Sequence, residues 1–222
     1  MKINILTIFP EIFDGWKNTG MIKKAVDKEV VEINIINIRD HSKNKHNKVD
    51  DYPFGGAEGM LMCIEPLDMA IVENNLENTH IIFPSPKGMV LNQNKLIQLS
   101  QKEEITLVAG RYEGVDQRFI DMHVDEQISI GDFILTGGEV AIETILDGVI
   151  RLIPGVLGNQ TSHENESFSN NLLEHPQYTR PSEYKGKKVP EVLLSGNPKL
   201  IKSYEYEQQM SETKKYRPDL LK

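Results

Sequence analysis

Three short strings carry glycine beside polar groups at places where apolar runs end: Ser85-Pro86-Lys87-Gly88, Ala109-Gly110-Arg111-Tyr112-Glu113-Gly114, and the longer SIGDFILTGGE over 129–139. Glycine lets backbone N–H and C=O groups approach a ligand closely, and Glu113 adds a carboxylate. In open α/β sheets ligands sit beyond the carboxyl ends of the strands, so these strings outline a pocket for a small molecule. The same strings also suit ordinary tight turns and helix caps, and they do not identify the ligand. Other chemistries lack their signatures. No G-x-x-x-x-G-K-[ST] phosphate loop, no G-x-G-x-x-G after a strand, no HExxH and no CxxC occurs. His41 and His46 make a poor metal pair, because no carboxylate or cysteine stands at supporting spacing. A Ser/His/Asp set can be picked from any chain this long and means nothing alone.

The elements that must position these strings alternate. Residues 3–9 and the Val/Ile-rich 30–38 read as buried strands, with a helical spacing of Ile12, Phe13, Trp16, Ile22, Ala25 and Val26 between them. Further strands are expected at 80–83, 105–109 and 124–130, and helices at 66–75, 92–101 and 115–122. Asn92 can cap its helix, and Thr136-Gly137-Gly138-Glu139 has the spacing of a capping box opening a helix to Asp147. Alternating strands and helices argue for an α/β fold with a mostly parallel sheet. The polar stretch 39–60 is long for a structureless loop and reads as functional. Residues 159–171 read as a linker between a domain over 1–158 and a small, mainly helical unit over 172–222.

The chain has 222 residues, enough for a core that needs no disulfide or metal, and the single Cys63 excludes a disulfide framework. Cys63 and Trp16 read as core residues. The start, MKINILTIFPEIF, is too short and mixed for a signal peptide or a membrane span, so a cytoplasmic protein is the default. The net charge of −8 argues at first sight against nucleic acid. Its distribution says otherwise. Residues 181–222 hold nine Lys/Arg and six Asp/Glu, whereas 1–180 hold sixteen and twenty-seven. A second basic group, Arg39, Lys43, Lys45 and Lys48, lies in the long polar stretch.

DDYPFGGAEGM (50–60), SPKG (85–88), GRYEGVDQR (110–118), SIGDFILTGGE (129–139), RLIPGVLGN (151–159), ESFSNNLLEHPQYTRP (166–181) and VPEVLLSGN (189–197) together resemble the bacterial tRNA (guanine-N1)-methyltransferase family. These seven strings run in one order over nearly the whole chain. The resemblance implies a SPOUT-type parallel sheet with a C-terminal trefoil knot, followed by a small helical tRNA-binding domain, in a homodimer whose sites are shared between protomers. It implies S-adenosylmethionine as methyl donor and tRNA as substrate. Magnesium is linked to activity in the family, although no metal site is legible here. By matching strings, Gly110, Ile130, Gly131, Asp132, Phe133, Ile134 and Leu135 hold the adenosine. Pro86, Gly137 and Gly138 shape the pocket, and Glu113 lies near the amino acid and sulfonium end.

Guanine N1 carries a proton at neutral pH and is a poor nucleophile until it loses it. Methylation there needs a base near N1 and a donor for the charge developing on O6. The resemblance gives these roles to Glu166 and Arg151, with Glu164 as the local competitor for the base. Glu166 stands where the family has aspartate, one methylene shorter. Asp50 and Arg180 match strings implied in substrate contact, with Lys185, Lys187, Lys188, Lys199, Lys202, Lys214, Lys215 and Arg217 as further phosphate contacts. Ala57 replaces a usual glycine, which is acceptable only where the backbone is not left-handed. Pro198, Tyr204 and Glu205 also depart from the family pattern. Two rivals follow: a SPOUT methyltransferase for another RNA base, and a catalytically idle tRNA-binding protein.

Overall fold

The Val/Ile-rich runs form the strands that their burial demands. In a computed structural model, which describes residues 1–157 and 166–222, β1 (Lys2–Thr7), β2 (Glu32–Asn37), β5 (His80–Val90), β6 (Glu104–Val108) and β7 (Glu126–Ser129) make a parallel five-stranded sheet in the order β2-β1-β6-β5-β7. Two further two-residue strands, β3 (Asp50–Asp51) and β4 (Leu61–Met62), pair antiparallel beside it. Around the sheet stand α1 (Ile12–Lys17), α2 (Gly20–Asp27), α3 (Ile64–Glu73), α4 (Gln93–Ser100), α5 (Gln117–His123) and α6 (Glu139–Ile150).

Side chains alternate across the sheet, so each strand feeds two cores. Ile3, Ile5, Ile105 and Leu107 pack with Phe13, Ile22, Leu99, Ile142, Ile145 and Val149 on one face. Leu6, Val108 and Ile81 pack with Leu67, Ile71 and Phe119 on the other. Helices therefore cover both faces, and ligand access is left to the strand ends. The polar residues inside the central strands are paired: Asn4 Nδ2 donates to Glu104 Oε1 at 2.9 Å, and the Thr79 and Thr106 hydroxyls meet at 2.6 Å.

Several expectations need correcting. The helix after Pro10 is two helices, broken at Asn18 and Thr19, with Gly20 opening the second at φ +59°. β5 does not stop at Phe83. It continues through Pro84-Ser85-Pro86-Lys87-Gly88 to Val90, with a register shift between Pro84 and Met89, so SPKG is an irregularity within a strand rather than a turn after it. Gly88 is required there, because a Cβ would lie 2.4 Å from the Gln127 and Ile128 backbone. The 39–60 stretch is not structureless: it contains a 3-10 turn over Ile38–His41 and the strand β3.

Asn159–Lys222 forms a second compact unit, distinct from Met1–Gly158. Its described residues contain a two-residue hairpin of β8 (Glu183–Tyr184) and β9 (Lys187–Lys188), then α7 (Glu191–Leu194) and α8 (Pro198–Tyr216). Pro198 stands at the first helical position of α8, where its missing N–H costs nothing, and the Asn197 side chain accepts from Lys199 N–H. The replacement at 198 is thus locally compatible with a helix start.

Candidate active site

The loops leaving β6 and β7 lie side by side. Gly138 N–H donates to Gly110 C=O at 2.8 Å. A Cβ on Gly138 would sit 2.9 Å from Ala109 Cα, and one on Gly137 would strike Arg111 Nε at 2.2 Å. The glycines are there so that two chain segments can touch. Arg111 then reaches across: its Nε lies 2.8 Å from Glu139 Oε2, its Nη1 donates to Thr136 C=O at 3.3 Å, and its guanidinium stacks 4.7 Å over the Phe9 ring. Glu139 is 1% exposed, and its Oε1 accepts from the Thr7 hydroxyl at 2.9 Å. The expected capping box is therefore absent. Gly138 is the cap residue of α6 and has no side chain, while Glu139 turns inward to Thr7 and Arg111.

On the solvent side of these loops, Tyr112, Phe133, Ile134 and Leu135 expose large apolar side chains, Ile134 to 81%. Two exposed carboxylates, Glu113 and Asp132, stand among them. Glu113 also crosses the glycine loop before β4. Its N–H donates to Met60 C=O at 3.0 Å, and a Cβ on Gly59 would lie 2.5 Å from its Cγ. Ala57 in that loop is not among the residues with positive φ, unlike Gly55, Gly56 and Gly59, so the alanine is accommodated without strain. Gly110, Ile130, Gly131, Asp132, Phe133, Ile134, Leu135, Gly137 and Gly138 thus share the carboxyl end of the sheet with Glu113, and exposed Pro86 lies in the irregular part of β5.

Arg151 is elsewhere. It is the C-cap of α6, where its cation complements the negative helix end. Thirteen residue steps at 1.5 Å each along α6 separate it from Gly138 by about 20 Å. Within one chain, then, Arg151 does not join the loops at Gly110 and Gly138. Glu166 opens the described part of the second unit, half-buried, its carbonyl accepting from Ser169 N–H at 3.2 Å. Glu164 lies outside the described residues. Asp50 is half-buried in β3, beside Asp51, whose carboxyl is held below the usual range by the Tyr52 N–H and by Lys48. Lys48 and Lys43 are already paired, with Asp51 at 3.2 Å and Glu65 at 3.3 Å, which weakens their availability for phosphate. Cys63 is half-buried rather than core, and burial pushes its thiol up.

In the second unit, Tyr178, Thr179, Pro181, Tyr184, Lys185 and Lys187, with Lys188 and Val189, line an open cavity of about 440 Å³. Lys185 Nζ stands 5.4 Å over the Tyr184 ring. Arg180 is exposed next to it in sequence and does not line the cavity. Sequence reading singled out neither the Arg111–Glu139 contact nor this cavity, since both depend on residues distant in sequence or on a hairpin too short to show a period.

A family model described as tRNA (Guanine-1)-methyltransferase TrmD matches residues 1–222. A tRNA (guanine-N(1)-)-methyltransferase of Clostridioides difficile (strain 630) is 50% identical over 226 residues, covering 100% of this chain and 98% of its own. One of Metamycoplasma arthritidis (strain 158L3-1) is 52% identical, covering 100% of this chain and 96% of its own. One of Staphylococcus epidermidis (strain ATCC 12228 / FDA PCI 1200) is 50% identical over 100% of this chain and 91% of its own.

Proposed function

The chain belongs to the tRNA (guanine-1)-methyltransferase family, and on that basis we propose that it transfers a methyl group from S-adenosylmethionine to N1 of the guanosine 3′ of the anticodon in tRNA. The observation that carries the reading is identity of about half over full length, in a chain whose strings GRYEG and SIGDFILTGGE meet at one end of a parallel sheet.

The residues present fit the donor. A flat heteroaromatic base suits the apolar rim of Phe133, Ile134 and Leu135, and a cationic sulfonium and ammonium suit the carboxylates Glu113 and Asp132. Gly110 and Ile130 to Leu135 hold the adenosine, Gly137, Gly138 and Pro86 shape its pocket, and Glu113 faces the charged end. Bound S-adenosylmethionine supplies an electrophilic methyl group on a cationic sulfur. Glu166 takes the proton from guanine N1, whose lone pair then forms the N–CH3 bond while the S–CH3 electron pair returns to sulfur. Arg151 donates to O6 and holds the negative charge that develops there. Asp50 and Arg180 orient the substrate. Among the described residues no three His, Cys, Asp or Glu side chains gather as a metal site. The described residues thus offer no protein cage for magnesium.

The reading includes a homodimer with shared sites, which the distance of Arg151 from the loops within one chain supports. The exposed apolar residues Met89, Val90 and Val140, close to those loops in the chain, support a covered face there. The trefoil knot accords with the crowding at Gly88 and Gly138, where two backbone segments touch with no room for a Cβ. The lysine- and tyrosine-lined cavity of the second unit suits RNA, whose phosphates pair with lysine and whose bases stack on aromatic rings. No helix among the described residues is long and apolar enough to cross a membrane. A tRNA substrate makes the cytoplasm the site of action.

The test is to incubate the protein with unmodified tRNA and methyl-labelled donor and to analyse the nucleosides by mass spectrometry. 1-Methylguanosine is the expected product. A methyl on another base, or none despite bound donor, overturns the reading in favour of a different RNA methyltransferase or an idle tRNA-binding protein. Glu166→Gln should lower kcat by about a hundredfold or more. Full activity in that variant removes Glu166 from the role of base.

A further inference from the structure

The geometry points to Arg111 and Glu139 as positioning residues: a buried ionic lock that sets the spacing of the two donor-binding loops without touching the substrate RNA. This rests on the reading that loops 110–114 and 130–138 hold S-adenosylmethionine. Three segments far apart in sequence meet at one carboxylate. Thr7 ends β1, Arg111 follows β6, and Glu139 begins α6 directly after the glycine pair. The Arg111 side chain lies flat against Gly137 and bonds the Thr136 carbonyl, so it bridges from its own loop to the next one. Any change in its position moves both loops.

The contact also has slack. Arg111 Nε and Glu139 Oε2 are buried and 2.8 Å apart, yet neither makes an aligned hydrogen bond. A contact kept for stability alone is expected to be aligned, because misaligned buried charges forgo much of the attraction that offsets their desolvation. A small closure of the loops around a ligand would bring the N–H onto the oxygen. Binding energy from the donor can therefore be coupled to alignment of the lock. Glu143, one turn further along α6, senses the same charge: burial pushes its carboxyl up, and Glu139 adds to the rise.

The experiment compares the full protein with Glu139→Gln and Arg111→Lys. Calorimetric affinity for S-adenosylhomocysteine, hydrogen exchange of loops 110–114 and 131–138, thermal stability and KM for tRNA are measured. Both variants should bind S-adenosylhomocysteine between about tenfold and a hundredfold more weakly, the scale set by sub-ångström misplacement of binding groups. Loop exchange should rise while KM for tRNA moves less than about twofold. If Glu139→Gln does not fold, Arg111→Lys and the paired Arg111→Met/Glu139→Met carry the same comparison. Affinity within twofold of the unaltered protein, with only a lower melting temperature, overturns the lock and leaves the pair a structural contact. If the unaltered protein itself binds no S-adenosylhomocysteine, the donor-site reading fails, and the lock with it.

Discussion

The two units of this chain are held together by different means. Every buried hydrophobic residue among those described lies between Ile3 and Val156, and in the second unit only Thr213 is buried. The first unit is acidic and has two packed cores; the second is slightly basic, and its described residues form none. α8 is a 19-residue helix whose less exposed residues, Ile201, Tyr204, Glu205, Gln208, Gln209, Met210, Glu212 and Thr213, mix apolar and polar types. The difference teaches that the first unit is held by its own packed interior, whereas the described residues of the second present mostly exposed, polar surface.

Substitutions test that contrast directly. The largest effect is expected from Phe119→Ala in the first unit, a fully buried ring, which should cost about 3–5 kcal/mol of stability by denaturant unfolding. A loss under 1 kcal/mol would mean that the second core is looser than its packing suggests. Next in size, replacing Lys185, Lys187 and Lys188 together by alanine should raise KM for tRNA about tenfold, with unchanged melting temperature and unchanged affinity for S-adenosylhomocysteine. A fall in melting temperature instead would show those lysines supporting the hairpin rather than RNA. Steep loss of tRNA affinity with salt would likewise contradict a tail, residues 181–222, that is basic by only three charges.

A smaller effect concerns acid. The Asn4 side-chain bond, reinforced by Lys2, holds the Glu104 carboxyl below its ordinary value, and the Arg118 side chain does the same for Asp116. A carboxyl depressed in the folded state stabilises above its unfolded pKa, and that contribution is lost as pH falls through the folded value. The first unit should therefore lose stability on acidification below the carboxylate range, and Glu104→Gln should flatten that loss in pH-dependent melting curves. Smallest of all, Leu200→Ala on exposed α8 should change stability by no more than about 0.5 kcal/mol.

Much of this was readable from residue types. Ile3, Ile5, Ile105 and Leu107 announce buried parallel strands, and Asn92 caps α4 as its position implies, accepting from Lys95 N–H at 3.0 Å. Misreadings cluster where local signals compete with distant partners. Thr136-Gly137-Gly138-Glu139 has capping-box spacing, but the half-buried Arg111 claims the glutamate. Pro84 and Pro86 suggest the end of a strand, yet pairing with β7 carries β5 past both. Ala57 was safe for a reason no spacing reveals, its backbone angle.

Strand identity, helical content, charge asymmetry and the family strings all follow from the linear order of side chains, because period and composition are local properties. Other features are three-dimensional. The meeting of Thr7, Arg111 and Glu139 is one, and the length of α6 between Gly138 and Arg151 is another. The lysine-lined cavity behind a two-residue hairpin is a third. The first depends on which segments the sheet order brings within a few ångströms, and no window along the chain contains that information; the other two are local in sequence but depend on backbone conformation that side-chain period does not fix.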